Sequence, residues 1–78
     1  MPTILNVNGF KFKFYSNENR ELPHIHITKG NANTKIWLEP DIIIAYSYNF
    51  SSREQREIET LIKQNYQTLI NSWYEYFG

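Results

Sequence analysis

Pro23-His24-Ile25-His26-Ile27-Thr28-Lys29-Gly30-Asn31-Ala32-Asn33-Thr34-Lys35-Ile36-Trp37-Leu38-Glu39 is the stretch that decides how this chain is read. Two runs of alternating apolar and polar residues flank a Gly- and Asn-rich turn over residues 29–33, which is the signature of a β-hairpin. Pro23 marks the start of its first strand. Side chains along a strand point alternately to its two faces. If Ile25, Ile27, Ile36 and Leu38 face a core, then His24, His26, Thr28, Lys35, Trp37 and Glu39 share the opposite face.

Toward the amino terminus, Asn8-Gly9 separates two further strand-like runs, residues 3–7 and 10–15. This dipeptide favours a two-residue type I′ turn, because both residues tolerate positive φ. In that register Val7 opposes Phe10, Leu5 opposes Phe12 and Thr3 opposes Phe14, leaving Ile4, Asn6, Lys11, Lys13 and Tyr15 on the other face. Residues 16–21 are polar and aperiodic, a solvent-facing loop.

Toward the carboxyl terminus, Pro40-Asp41 breaks the pattern, and residues 42–46 (IIIAY) predict a short strand buried on both faces or capped by a helix. Ser51-Ser52-Arg53-Glu54 fits a capping box. From there Ile58, Leu61, Ile62, Tyr66, Leu69, Ile70, Trp73 and Phe77 recur every three or four residues, predicting one long helix that packs on the sheet. The expected class is α+β: a small antiparallel sheet of two hairpins plus a short further strand, packed by one long C-terminal helix.

The 78 residues hold eight Lys plus Arg and eight Asp plus Glu, a formal net charge of zero. That balance argues against indiscriminate nucleic-acid binding while leaving room for a local basic stripe. A chain of this length builds one core and buries only about 60% of its extended surface, so a single domain over residues 1–78 is expected. At 41% apolar and 17% aromatic residues, that core relies on rings. The absence of cysteine excludes disulfide scaffolds, thiolate-ligated zinc and thiol nucleophiles. The longest apolar run, residues 42–46, is far short of the roughly 20 residues of a membrane span, and the amino terminus has no signal-peptide core, so a cytoplasmic location is expected.

His24 and His26 are the candidate catalytic residues. Their spacing of two turns both rings to one side of a strand, and an ordinary imidazole titrates near pH 6.5 (about), so one ring can take a proton while its neighbour gives one. The plainer reading is a strand with its polar residues outward. Lys11, Lys13, Tyr15, Lys35 and Trp37 are the candidate binding residues, a cationic surface whose rings can stack on the bases of single-stranded RNA. Lysines on an exposed strand also discourage edge-to-edge aggregation, and Trp37 reads equally well as the cross-strand cover of a histidine. A metal would need a third ligand beside His-x-His. Glu21, Glu39 and Asp41 lie at strand ends, but no spacing forces them to converge, so neither metal nor cofactor is expected. There is no Gly-rich phosphate loop, no Ser–His–Asp order and no carboxylate pair at helical spacing in an apolar setting. Glu54, Glu57 and Glu59 complement the positive end of the helix dipole, and Asn65 interrupts the apolar stripe as an amide that needs partners.

Four blocks together, Met1-Pro2-Thr3-Ile4, Pro23-His24-Ile25-His26, Gly30 with the later Lys35-Ile36-Trp37, and Leu69-Ile70-Asn71-Ser72-Trp73, give a pattern that resembles the domain of unknown function 4160 family of small bacterial and archaeal proteins. The resemblance spans nearly the full chain. Members usually carry two prolines before the first histidine where this chain has Leu22-Pro23, and this chain has more residues between its hairpins. The resemblance implies no established reaction. It implies a domain often encoded beside a second small protein, as one half of a toxin–antitoxin-type pair. Two functions are therefore expected to compete. One is an interaction module that binds a second small protein by its sheet face or edge, with a homodimer as a further form. The other is a metal-independent ribonuclease or RNA-binding domain using His24 and His26 on the exposed sheet face, with Lys11, Lys13 or Lys35 stabilising charge on phosphorus.

Overall fold

The computed structural model describes residues 3–15 and 21–77. Five strands, β1 (Thr3–Val7), β2 (Phe10–Lys13), β3 (His24–Lys29), β4 (Ala32–Trp37) and β5 (Ile43–Tyr48), are followed by helices α1 (Ser52–Gln64) and α2 (Tyr66–Phe77). The strands pair in sequence order as one antiparallel sheet, and the class is α+β as expected. The hairpins and the further strand are not separate units but one continuous five-stranded meander.

Asn8 and Gly9 both adopt positive φ, at 54° and 84°, the pair that a type I′ turn requires. The second turn is tighter than expected. Only Gly30 and Asn31 lie between β3 and β4, with Gly30 at φ 59°. A register shift in β1 changes the expected first hairpin: Val7 and Leu5 oppose Phe10 and Phe12, but Thr3 pairs with Lys13, and the extra residue Ile4 packs against the core. The loop expected over residues 16–21 lies, except for Glu21, outside the described residues.

One face of the sheet presents Phe10, Phe12, Phe14, Ile25, Ile27, Ile36 and Leu38 to Ile58, Leu61 and Ile62 of α1 and to Leu69, Ile70 and Trp73 of α2, all buried. The apolar stripe is the one read from the sequence, but it belongs to two helices and not to one. The break falls at Asn65, whose amide bonds to both Leu61 O and Ile62 O while its side-chain Nδ2 donates to Leu61 O at 2.8 Å. A short polar side chain that bonds a carbonyl in the last turn of α1 competes with continuation of the backbone ladder, and the chain leaves helical geometry there. α2 restarts with Leu69 N donating to Asn65 O.

The two helices hold opposite ends of the sheet. At the turn end, the capping box of α1 is complete: Glu54 N donates to Ser51 Oγ and Ser51 N donates to Glu54 Oε1. Lys29 reaches Glu54 at 3.7 Å and Asn8 Nδ2 donates to Glu57 at 3.0 Å, fastening both hairpin turns to the first turns of α1. At the other end, Tyr66 Oη donates to Leu38 O at 2.7 Å, Tyr74 donates to the Glu39 carboxylate, and Trp73 meets Phe14 edge-on at 5.2 Å.

β5 departs most from expectation. It is neither buried on both faces nor capped: all six of its residues are exposed, β4 lies on one side, and no strand pairs with its outer side among the described residues. An apolar run of β-branched residues suits a buried strand, yet α1 and α2 are centred over β2, β3 and β4, and the edge strand lies beyond their cover.

Candidate functional site

The strand registers sort the side chains of the helix-free face into three rows. Lys11, Thr28, Asn33 and Tyr48 form one; Lys13, His26, Lys35 and Tyr46 form the next; His24, Trp37 and Ile43 form the third. Every sequence-derived candidate except Tyr15 thus occupies a row position, and Tyr15 joins them through its ring, 4.3 Å from that of His26.

The histidines sit on the expected face but are not exposed. His24 is 0% and His26 6% accessible. Their spacing does bring them together, with ring centroids 5.1 Å apart, edge to face. The Tyr15 ring lies against His26, and two tryptophan rings lie against His24. Trp37, directly across from His24, lays its ring 5.3 Å away. At the end of the sheet, the Trp73 ring of α2 approaches His24 at 4.9 Å. Nδ1 of His24 lies 2.9 Å from Leu22 O. A carbonyl can only accept, so Nδ1 carries the proton in this contact. Rings enclosed in this way cannot meet a substrate phosphate unless their aromatic neighbours move.

The remaining candidates divide by exposure. Lys35 is drawn in, its ammonium bonded to Glu21 at 2.7 Å and 4.5 Å over the Trp37 ring. Lys13 stands 6.0 Å from the Tyr15 ring, and Lys11 is exposed. Glu21 is therefore engaged with Lys35, Glu39 with Tyr74, and Asp41 lines an open groove beside Lys63; among the described residues no group of three His, Asp or Glu gathers around a point. That groove, about 340 Å³ between Leu38, Pro40, Ile42 and Tyr66, has only exposed charges at its mouth and no enclosed polar anchor.

Sequence reasoning missed the surface along β5. Ile43 is 52% and Tyr48 59% exposed, and the Tyr46 and Tyr48 rings lie 5.4 Å apart on the row face. The alternation Tyr46-Ser47-Tyr48 is the signal that marks one outward face, and the isoleucines before it obscure it. On the helix side, Ser47 Oγ donates to Gln55, so the two faces of β5 are chemically distinct.

No curated protein and no solved structure matches the chain significantly. Residues 9–74 match the family described as Domain of unknown function (DUF4160), and the chain belongs to that family.

Proposed function

We propose that this protein is a cytoplasmic interaction module of a prokaryotic cell, one member of a toxin–antitoxin-like pair, which binds a second small protein along the outer side of β5. The observation that carries this reading is the β5 edge itself: six exposed residues without a single charge, with Ile43, Ile44, Tyr46 and Tyr48 presenting large apolar groups to solvent. Isolated domains commonly blunt such edges with charges or prolines, which β5 lacks; its one irregularity is the extra residue Ala45 in the pairing with β4, and an apolar, uncharged edge is a template for an added strand. A partner that contributes an extended segment with alternating apolar side chains would gain backbone hydrogen bonds from the edge and burial against Ile43 and Ile44. The enclosed histidines then serve the stability of the sheet and not chemistry.

The test is co-expression with the product of the neighbouring gene, followed by size-exclusion chromatography at micromolar concentration. Co-elution is expected, and Ile43→Lys, which sets a charge at the edge of an otherwise intact sheet, is expected to abolish it without lowering the melting temperature. Separate elution of the two wild-type proteins overturns the reading. A wild-type chain that dimerises alone and loses the dimer on Ile43→Lys also overturns it, because a second copy then occupies the edge.

A further inference from the structure

The five strands contain four lysines, Lys11, Lys13, Lys29 and Lys35, and no Asp or Glu. The carboxylates of the described residues all lie in the helices and the connecting segments. Zero net charge therefore hides a segregation: the five strands are cationic, and among the described residues no acid belongs to their open face. Lys29 turns to Glu54 of α1 and Lys35 to Glu21, while among the described residues no carboxylate pairs with Lys11 or Lys13. An anion approaching the open face meets these two ammonium groups two residues apart on one strand, roughly 7 Å from each other along the backbone.

The same rows end in rings. Lys11 leads across Thr28 and Asn33 to Tyr48, and Lys13 across His26 and Lys35 to Tyr46. Each crossing spans three inter-strand steps, roughly 14 Å, the width over which open sheets of this kind seat two or three nucleotides. Tyr46 and Tyr48 present neighbouring exposed rings, while Thr28 and Asn33 supply neutral hydrogen-bonding groups between rings and lysines. We propose that this open face binds single-stranded RNA, with bases stacked on Tyr46 and Tyr48, phosphates held by Lys11 and Lys13, and sugar hydroxyls within reach of Thr28 and Asn33. An acidic peptide would use the lysines and leave the ring pair idle. A duplex hides the faces of its bases and offers the rings nothing to stack on. The surface is separate from the outer side of β5, so a protein partner added there extends the sheet and leaves the rows open.

Fluorescence anisotropy of a labelled ten-nucleotide oligouridylate, titrated with the full chain at several salt concentrations, tests the proposal. Binding with a Kd of roughly 10⁻⁴ to 10⁻⁶ M is expected, weakening as salt rises. Lys11→Gln combined with Lys13→Gln should lower the slope of log affinity against log salt by about 1.4. Tyr48→Ala, at a side chain exposed enough for the fold to survive, should weaken binding about 5- to 150-fold. Arg53→Gln on α1 should leave affinity unchanged. No anisotropy change up to 100 µM (about a hundredfold above the tighter limit) overturns the proposal. So does equal binding of a duplex of the same length, or an Arg53→Gln effect as large as that of the paired lysine change. Equal affinity for the matching oligothymidylate overturns RNA as the occupant.

Discussion

Trp73 is the residue on which the two ends of the chain depend. Its ring is 4% exposed and lies against Phe14 of the first hairpin, His24 of the second, and Phe77 of its own helix. Deleting so large a ring leaves a cavity among groups from different elements, which cannot all move inward together. Trp73→Ala is expected to cost about 3–5 kcal/mol, a large share of the roughly 5 kcal/mol at the low end for small domains. Chemical denaturation would then show a largely unfolded variant, and a midpoint equal to that of the wild type would show that the ring closes no core. The histidines teach the converse lesson at this scale. Period-two spacing placed both on one face of β3, but it carries no information about what lies over that face. How far His24 meets solvent was decided by Trp37 across the strand and by Trp73, 49 positions further along the chain.

Among the elements, α1 shows how much a local motif can determine. Four consecutive residues, Ser51 to Glu54, were enough to locate its first turn, because both capping hydrogen bonds form within them. Ser51→Ala is expected to lower stability by about 1 kcal/mol, read as a shift in denaturation midpoint. Glu54 adds a pH dependence. The hydrogen bond from the Ser51 amide, aided by the Ser51 hydroxyl and the Lys29 ammonium, holds its carboxyl below the usual carboxylate value. A carboxyl depressed in the folded state favours folding above its unfolded value near 4.3 (about), and that contribution disappears as pH falls through the lower folded value. Lys29→Met should reduce the acid sensitivity of the melting temperature between about pH 5 and 3, and an identical pH profile in wild type and variant would remove this assignment. The end of α1 was less legible. Periodicity carried the apolar stripe past Asn65 without interruption, since a break in the backbone that preserves the stripe leaves no mark on spacing. Its only trace was one polar residue on an apolar side.

For the whole molecule, the sheet is graded from a protected interior to an open margin. β3 has a strand on each side and both helices over its apolar face, whereas β5 pairs with one strand and all six of its residues are exposed. Native-state hydrogen exchange should therefore find β3 amides exchanging only by near-global opening and β5 amides on its outer side exchanging much faster. Comparable protection of both strands in the dilute isolated chain would show the margin already covered. The sequence by itself determined the α+β class, both hairpin turns, the core face of every strand from β2 to β4, the cap of α1 and the apolar stripe of the helices. All of these rest on interactions among residues close in the chain or on the periods of strand and helix. Tertiary structure alone decided the rest: the pairing of β5 with β4, its exposure at the margin, the shift at Ile4, and the enclosure of His24 and His26. Those features depend on which distant surfaces meet and how far two short helices reach across five strands. Neither quantity is encoded in the spacing of neighbouring residues.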